Sequence, residues 1–275
     1  MTAYNRADYL ECAILSIINQ TYTNLEIIVS LDLSECEETQ NIVMKYAAQD
    51  VRIKPYFHKK RVGAGANIRH VLTLATGEYF AWADEDDYRD PKWFERVIRL
   101  FDRPDAVIGM SNIVSVNSLD QIFRIYKPFN YEGIRLARVA RYFLAEERNG
   151  KSNIVCGMFK TSFIRKTKHW SLYTFNRYEG GDLLFCLDCV QRGNIYVDTS
   201  VNLYKRLPKY TDEFLKSGPN HFEKAKRYFE YMLSCIEVVN GVMPKLLLLA
   251  LIPVRTVRTL FFQIKTQLIS RLKNL

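Results

Sequence analysis

Four consecutive acidic side chains follow a short apolar and aromatic run at residues 79–83. The run is typical of a strand buried on both faces, and the acids stand where that strand must end. Crowded carboxylates resist ionisation unless a cation neutralises them. A hard divalent cation with oxygen ligands, Mg2+ or Mn2+, suits this role. A solvated acidic turn that caps a helix beginning near Pro91 is the alternative that the cluster alone leaves open.

The elements before this cluster alternate between helices and strands. Apolar residues at three-to-four spacing predict helices at residues 6–20, 37–48 and 64–75, and short apolar runs predict strands at 25–30 and 51–57. That order indicates βαβ units and a mostly parallel α/β sheet. Ligands bind such sheets at the carboxyl ends of the strands, where the acids stand.

The second half of the chain predicts a mixed set of elements. Helices are expected at 91–101, 135–147 and 183–191, and strands at 106–116, 121–126, 195–197 and 201–204. Beyond Arg206 the pattern changes to a polar segment, a helix at about 222–239 and a break at Asn240-Gly241. We therefore expect an α/β domain over residues 1–206 and a helical C-terminal extension over 207–275.

Composition limits the classes of function. With 48% hydrophobic and 25% charged residues, the 275-residue chain is globular and not disordered. The net charge of +9 is uneven, because residues 242–275 hold six cations and no acid. An anionic lipid or a phosphorylated substrate suits this excess. Nucleic acid is not expected, because no zinc-finger or RNA-binding signature accompanies it.

The cysteines and the first residues bear on the compartment. Six cysteines are scattered along the chain, which favours a reducing cytoplasm over a disulfide framework. Cys186-x-x-Cys189 lies in a helical pattern without a second pair, so packing explains it better than redox or zinc chemistry. The first residues lack the basic and apolar segments of a signal peptide, and we expect a cytoplasmic protein.

Several motifs occur in one order along the chain, and only their co-occurrence is specific. They lie at residues 2–10, 25–30, 63–67, 76–79, 84–87, 156–160 and 181–184. Together they resemble the family 2 glycosyltransferases, which have the Rossmann-like GT-A fold, over about residues 2–206. The resemblance implies that a nucleotide-binding half, about 1–103, and an acceptor half, about 104–206, move a sugar from a UDP- or GDP-sugar to a glycan or lipid-linked acceptor. It also implies inversion at the anomeric carbon.

The resemblance assigns the donor side to five residues. The first turn, with Tyr4 and Arg6, and the segment around Asp32 would hold the base and ribose. Leu31 and Leu33 depart from the family's pattern, so the choice of base stays open. The remaining two are Asn67, as a polar contact at a helix start, and Arg206, as a clamp on the diphosphate. An ordinary helix start and an exposed arginine are the alternatives for these two, and an acid in a helix-capping loop is the alternative for Asp32.

The resemblance also assigns the metal and the catalytic base. Asp84 would face the ribose or the metal, and Asp86 would ligate the Mg2+ or Mn2+ that bridges the diphosphate. Asp182 would take the proton from the acceptor hydroxyl, while a helix-capping aspartate is the alternative. Trp170 and Tyr178 are candidates for stacking on sugar, although core packing is the commoner use of such residues.

The segment before Tyr4 weakens the expectation that the protein is active. The family's first strand runs directly into the turn at Tyr4, whereas here only three residues precede that turn. We therefore expect this strand to be missing and its neighbours to keep unpaired backbone groups. A catalytically inactive GT-A-like scaffold or carbohydrate-binding protein is accordingly the alternative function.

The last segment predicts a helix on a membrane surface. The apolar run at residues 246–254 is too short to span a bilayer. Beyond it, apolar residues recur on one helical face beside a basic stripe formed by Arg255, Arg258 and Lys265. We expect this helix to lie on an anionic membrane face, peripherally on the cytoplasmic side. Packing against the protein's own core is the alternative.

Overall fold

The computed structural model describes residues 1–33, 36–129, 131–167, 181–207 and 221–273. The strands are β1 Thr2–Ala3, β2 Ile27–Leu31, β3 Ile53–Phe57, β4 Tyr79–Ala81, β5 Tyr88–Arg89, β6 Ala106–Val116, β7 Ile122–Ile125, β8 Met158–Lys160 and β9 Asn194–Arg206. The helices are α1 Ala7–Ile18, α2 Glu37–Gln49, α3 Ala64–Leu74, α4 Trp93–Ile98, α5 Arg135–Leu144, α6 Thr161–Arg165, α7 Gly181–Arg192, α8 His221–Val238 and α9 Val242–Lys273. Short 3₁₀ helices lie at Arg99–Asp102, Glu147–Asn149 and Lys151–Cys156.

The first three strands form a parallel sheet in the order β1-β2-β3. Every residue of β2 is buried, as a central strand covered on both faces requires. Helix α1 buries Leu10, Ile14 and Ile17, which recur at helical spacing, and it packs against α2. The predicted βαβ order of this half is confirmed.

The remaining strands form a mixed sheet in the order β4-β8-β6-β9-β5, with the hairpin strand β7 on β6. The two sheets meet at the acidic loop, where Thr2 forms a parallel bridge to Asp84 and its N–H donates to the carbonyl of Ala83 at 3.1 Å. The opening turn and the acids are therefore brought together by sheet pairing.

Three expectations about elements need correction. The family's first strand is not wholly absent, because Thr2–Ala3 forms a two-residue strand that pairs in parallel with Ser30 and Leu31. The two strands expected at 195–197 and 201–204 are one strand, β9, whose pairing with β6 is irregular near Ser111 and Asn112. The apolar run at 246–254 and the basic segment after it form one helix, which continues through Pro253.

The C-terminal helices share the main core. Met232, Cys235 and Leu248 belong to the same buried cluster as residues of β6 and α7. Arg255 is also buried, and its guanidinium donates to the carbonyl of Phe143 on α5. The change of sequence pattern at residue 206 is therefore a change from α/β to helical structure. The C-terminal helices do not form a separate core.

Candidate functional site

The acidic loop is tied to the opening turn by one carboxylate. Oε2 of Glu85 accepts hydrogen bonds from the backbone N–H groups of Tyr4 at 2.9 Å and Arg6 at 3.2 Å. About eighty positions of chain separate these partners. Glu85 received no role from the sequence, although its place between two candidate metal ligands was a signal. It holds together the two segments that were predicted to bind the donor.

Burial, and secondly neighbouring negative charge, disfavours the ionised forms of Asp86 and Asp87. Burial raises the pKa of Asp86, and the charge of Asp84 raises it further. Burial also raises the pKa of Asp87 to about 7, with additional contributions from Asp84 and Asp86. The guanidinium of Arg6 forms an ion pair with the Asp86 side chain, at 3.6 Å from Oδ2. A bound cation would favour the ionised forms of these carboxyl groups.

The donor set fits a cation that shares its ligands with a substrate. Within the ranges described above, no group of three His, Cys, Asp or Glu side chains forms a complete metal cage. Asp84 and Asp86 supply hard oxygen ligands at the end of β4. Mg2+ characteristically takes one or two carboxylates together with substrate phosphates and water, so two carboxylates suffice.

Arg206 is engaged by the protein's own groups. Its Nη1 donates to the carbonyl of Asp86 at 2.8 Å, and its Nη2 contacts Oδ1 of Asp120 at 2.5 Å. The guanidinium lies over the ring of Tyr9 at 4.4 Å, and the side chain is only 4% exposed. The arginine therefore fixes the acidic loop to the β6–β7 turn, and its contact with a diphosphate stays a prediction.

Asp32 and Asn67 are likewise engaged by the protein. Asp32 accepts the N–H groups of Val62 and Gly63, each at 2.8 Å, which fixes the loop that begins α3. Gly63 has φ 81°, a left-handed value that favours glycine. Asn67 is buried and donates to the carbonyl of Ser30 at 3.0 Å. Both side chains shape the edge of the predicted base site, and their direct contacts with a donor stay predictions.

The half-buried ring of Tyr4 lies against an arginine side chain. The guanidinium of Arg61 lies 4.3 Å from the centre of its ring and donates to its hydroxyl. Arg61 is the last residue of a basic run, residues 59–61, to which the sequence motifs assign no role. The structure places one of these cations on the ring that was predicted to stack on the base.

The helix of Asp182 packs against the end of β4. Phe185, less than one turn further along α7, contacts Trp82 with ring centroids 6.0 Å apart. Trp82 precedes Asp84 by two positions, so the predicted base and the acidic loop belong to neighbouring elements. Asp182 is partly buried in the first turn of α7. The candidates Trp170 and Tyr178 lie outside the described residues.

This two-sheet α/β fold, with an acidic loop at the strand ends facing the opening turn, is that of a GT-A glycosyltransferase. The sequence profile of Glycosyl transferase family 2 matches residues 1–172, more than half of the chain. The protein therefore belongs to glycosyltransferase family 2.

Relatives by sequence agree with this family. An uncharacterized glycosyltransferase of Haemophilus influenzae is 35% identical over 120 residues, covering 42% of this chain and 35% of that protein. An uncharacterized glycosyltransferase of Methanocaldococcus jannaschii is 26% identical over 171 residues, covering 62% of this chain and 57% of that protein. The chain thus matches less than two thirds of either relative's length.

Solved structures share the fold. TarS of S. aureus in complex with UDP superposes with a TM-score of 0.63 at 16% identity, covering 90% of this chain and 68% of TarS. The mannosyltransferase PcManGT of Pyrobaculum calidifontis, in complex with GDP-Man and Mn2+, has a TM-score of 0.57 at 15% identity, covering 90% of this chain and 68% of its own.

Proposed function

We propose that this protein transfers a sugar from a nucleoside diphosphate sugar to a hydroxyl of a glycan or lipid-linked acceptor, in a metal-dependent reaction with inversion. The observation that carries the proposal is the bond of Glu85 to the backbone of Tyr4 and Arg6. It joins the first turn to the acidic loop. UDP in TarS, and GDP-Man with Mn2+ in PcManGT, support this class of donor.

The acidic loop would take the diphosphate end of the donor. Asp84 and Asp86 would hold Mg2+ or Mn2+, and the bound cation would stabilise the charge that develops on the departing nucleoside diphosphate. Arg6 already neutralises part of Asp86. Tyr4 would present its ring to the base once Arg61 moves aside.

Asp182 would act on the other substrate. Its carboxylate would accept the proton of the acceptor hydroxyl as that oxygen attacks the anomeric carbon, a role worth roughly 10²–10⁴-fold in rate. Its position at the start of α7, whose Phe185 packs on Trp82 two residues before Asp84, supports a place beside the acidic loop. Direct displacement of this kind inverts the configuration.

The decisive experiment measures the melting temperature with UDP or GDP, with and without Mn2+. At about 100 times Kd, binding adds roughly 3 kcal/mol, or about 5–10 °C for a chain of this size. We expect the rise only when metal and nucleotide are both present. Asp86→Asn should abolish it, and Asp102→Asn, an exposed acid off the site, should keep it. A full metal-dependent rise in Asp86→Asn contradicts the proposed metal site.

The proposal extends to the membrane through helix α9. No helix in the described part of the chain is long and apolar enough to cross a bilayer. The outward face of α9 nevertheless exposes a run of apolar side chains over about 30 Å of helix. They are Val242, Met243, Leu246, Leu249, Val254, Val257, Leu260 and Phe261.

The basic residues of α9 divide into two groups. Arg255 is buried against α5, so its predicted contact with anionic lipid is wrong. Lys245 and Arg258 are exposed at the two edges of the apolar face. An apolar face flanked by cations and free of acids suits the interface of an anionic bilayer better than a second protein chain.

Vesicle co-sedimentation tests this docking. Val257→Asp should reduce binding to anionic vesicles several-fold, because it places a charge within the apolar face. Lys226→Gln on α8 lowers the net charge by the same amount away from that face and should bind nearly normally. Added salt should weaken binding of the unmodified protein. Equal binding by Val257→Asp, or a dimer without vesicle binding, contradicts the proposed surface.

A further inference from the structure

The hairpin formed by β6 and β7 leaves its second strand exposed on both faces. All four residues of β7 are exposed, and within the described parts of the chain this strand pairs only with β6. Ile122, Phe123 and Ile125 are 62–71% exposed, and Leu119 in the turn is 75% exposed. Strands of antiparallel pairs commonly pack one face on a core. Apolar side chains that stay exposed together mark an interaction surface.

The turn of this hairpin satisfies its own backbone N–H groups. Oδ1 of Asn117 accepts the N–H groups of Leu119 at 2.9 Å and Gln121 at 3.0 Å. The N–H of Asp120 donates to the carbonyl of Asn117, and the N–H of Asn117 donates to the carbonyl of Gln121. Backbone groups without a partner are costly in an apolar medium. This turn can therefore leave water without losing the hydrogen bonds of these four N–H groups.

Two features of β7 disfavour pairing with a strand of another chain. Val116 pairs with Ile122 and Ser115 pairs with Arg124, so Phe123 is an extra residue that bulges from the ladder. Arg124 also places a cation in the middle of the exposed edge. Bulges and charged side chains are devices by which edge strands resist pairing with other chains. A second copy of the chain and an extended peptide are therefore poor occupants of this edge.

The charges of the hairpin suit an anionic surface. Arg124 and Lys127 are exposed, and Asp120 is the only acid in the sequence between residues 117 and 131. Asp120 is already paired, because its Oδ1 lies 2.5 Å from Nη2 of the buried Arg206. Apolar side chains beside cations, with no acid left unpaired, are the combination that favours the interface of an anionic bilayer.

The base of the hairpin lies next to a segment that also holds α9. The ring of Tyr126 packs on Gly150, where an added Cβ would lie 2.5 Å from Cδ1 of that ring. Glu147, three residues before Gly150, pairs with Arg255 of α9 at 3.6 Å. The exposed apolar side chains of the hairpin and those of α9 are therefore joined through one short segment, residues 147–150.

We propose that the β6–β7 hairpin inserts its exposed apolar side chains, those of residues 119, 122, 123 and 125, into the interface of an anionic bilayer. This contact rests on the membrane docking proposed for α9 and adds a second anchor to it. Arg206 joins the hairpin to the acidic loop, through Asp120 on one side and the carbonyl of Asp86 on the other. The inserted hairpin therefore holds the acidic loop near the lipid headgroups, where the polar end of a lipid-linked acceptor lies.

Tryptophan fluorescence with anionic vesicles tests the insertion directly. Phe123→Trp places a reporter on the hairpin, and Val51→Trp places one at a 96% exposed position before β3. Relative to the unmodified protein, the emission added by Phe123→Trp should shift to shorter wavelength on vesicle binding, because an indole at the interface leaves water. Lipids brominated in their acyl chains should quench this added emission. Val51→Trp should show neither effect.

Vesicle co-sedimentation measures how much the hairpin contributes to binding. Phe123→Ser should weaken binding to anionic vesicles about tenfold, because one large apolar side chain no longer leaves water on insertion. Val51→Ser removes an exposed apolar side chain from another part of the surface and should bind normally. Both variants should melt at the temperature of the unmodified protein, since neither side chain is part of the core.

The outcomes separate the hairpin from α9. Vesicle binding without quenching of Phe123→Trp overturns the hairpin contact and leaves the docking of α9 in place. Quenching of Phe123→Trp together with normal binding by Val257→Asp supports the hairpin and overturns the surface proposed on α9. Absence of vesicle binding by the unmodified protein, or a dimer that Phe123→Ser abolishes, overturns the insertion. Because neither readout uses turnover, the result is independent of the proposed glycosyl transfer.

Discussion

The buried residue Lys151 allows a measurable test of the packing between the C-terminal helices and the rest of the protein. Its side chain is fully buried, and its Nζ lies 3.5 Å from the carbonyl of Tyr142 and about 5 Å from the rings of Tyr142 and Tyr231. Burial lowers the pKa of this amine to about 7, and the neighbouring charge of Arg255 lowers it further. Glu147 pairs instead with Arg255, at 3.6 Å.

The sign of the effect follows from proton binding. Between pH 7 and 10.5 the folded protein binds fewer protons at Lys151 than the unfolded chain does, so stability rises with pH in this window. The full shift corresponds to about 5 kcal/mol. Lys151→Met removes the charge and keeps an apolar stem. It should therefore stabilise the protein at pH 6 by about 3 kcal/mol more than it does at pH 9.5.

Urea unfolding at both pH values measures this difference. Lys226→Met replaces an exposed lysine of α8, and its effect should be small and the same at both pH values. The reasoning fails if Lys151→Met shifts stability equally at pH 6 and pH 9.5, or if it stabilises more at the higher value.

Three further predictions concern the site and the core. Asp182→Asn should retain binding of the nucleoside diphosphate in calorimetry and lose at least about 100-fold in turnover, and unchanged turnover would leave only a capping role. Glu85→Ala should raise the Kd of that ligand about tenfold, because two backbone N–H groups lose their acceptor. Glu85→Gln keeps an acceptor oxygen, so an equal rise in Kd for this variant would contradict the explanation. Gly193→Ala should destabilise the protein to urea by about 1–3 kcal/mol, because its Cβ would lie 2.3 Å from Cγ1 of Val107, whereas unchanged stability would show that β6 yields.

The parallel half of the fold was predictable because its signals are local. Each helix carries its own apolar spacing, as in Leu10, Ile14 and Ile17, and β2 is apolar at four of its five positions. Strand β9 was less predictable. Its middle, at Asp198 and Ser200, has the composition of a turn, but long-range pairing with β6 keeps both parts in one strand.

The site was predicted in its location more than in its contacts. The order of motifs located the first turn and the acidic loop, whereas the buried partners depend on residues distant in sequence. Arg206 meets Asp120 only because the β6–β7 turn returns beside β9. Arg255 has apolar neighbours in sequence, and these neighbours do not indicate that its guanidinium donates to the carbonyl of Phe143.

The burial of Leu248 and Arg255 in the main core also determines when that core can form during synthesis. The buried cluster of the parallel sheet consists mostly of residues up to Ile53. This sheet can therefore form while the rest of the chain is still being synthesised. At 5–20 residues per second, residue 255 follows residue 57 by roughly 10–40 s. During that interval the surfaces of β6 and α7 that face the core are not yet covered by the C-terminal helices. Nascent chains stalled before α9 should therefore bind holdase chaperones through the second half of the protein and not through the first.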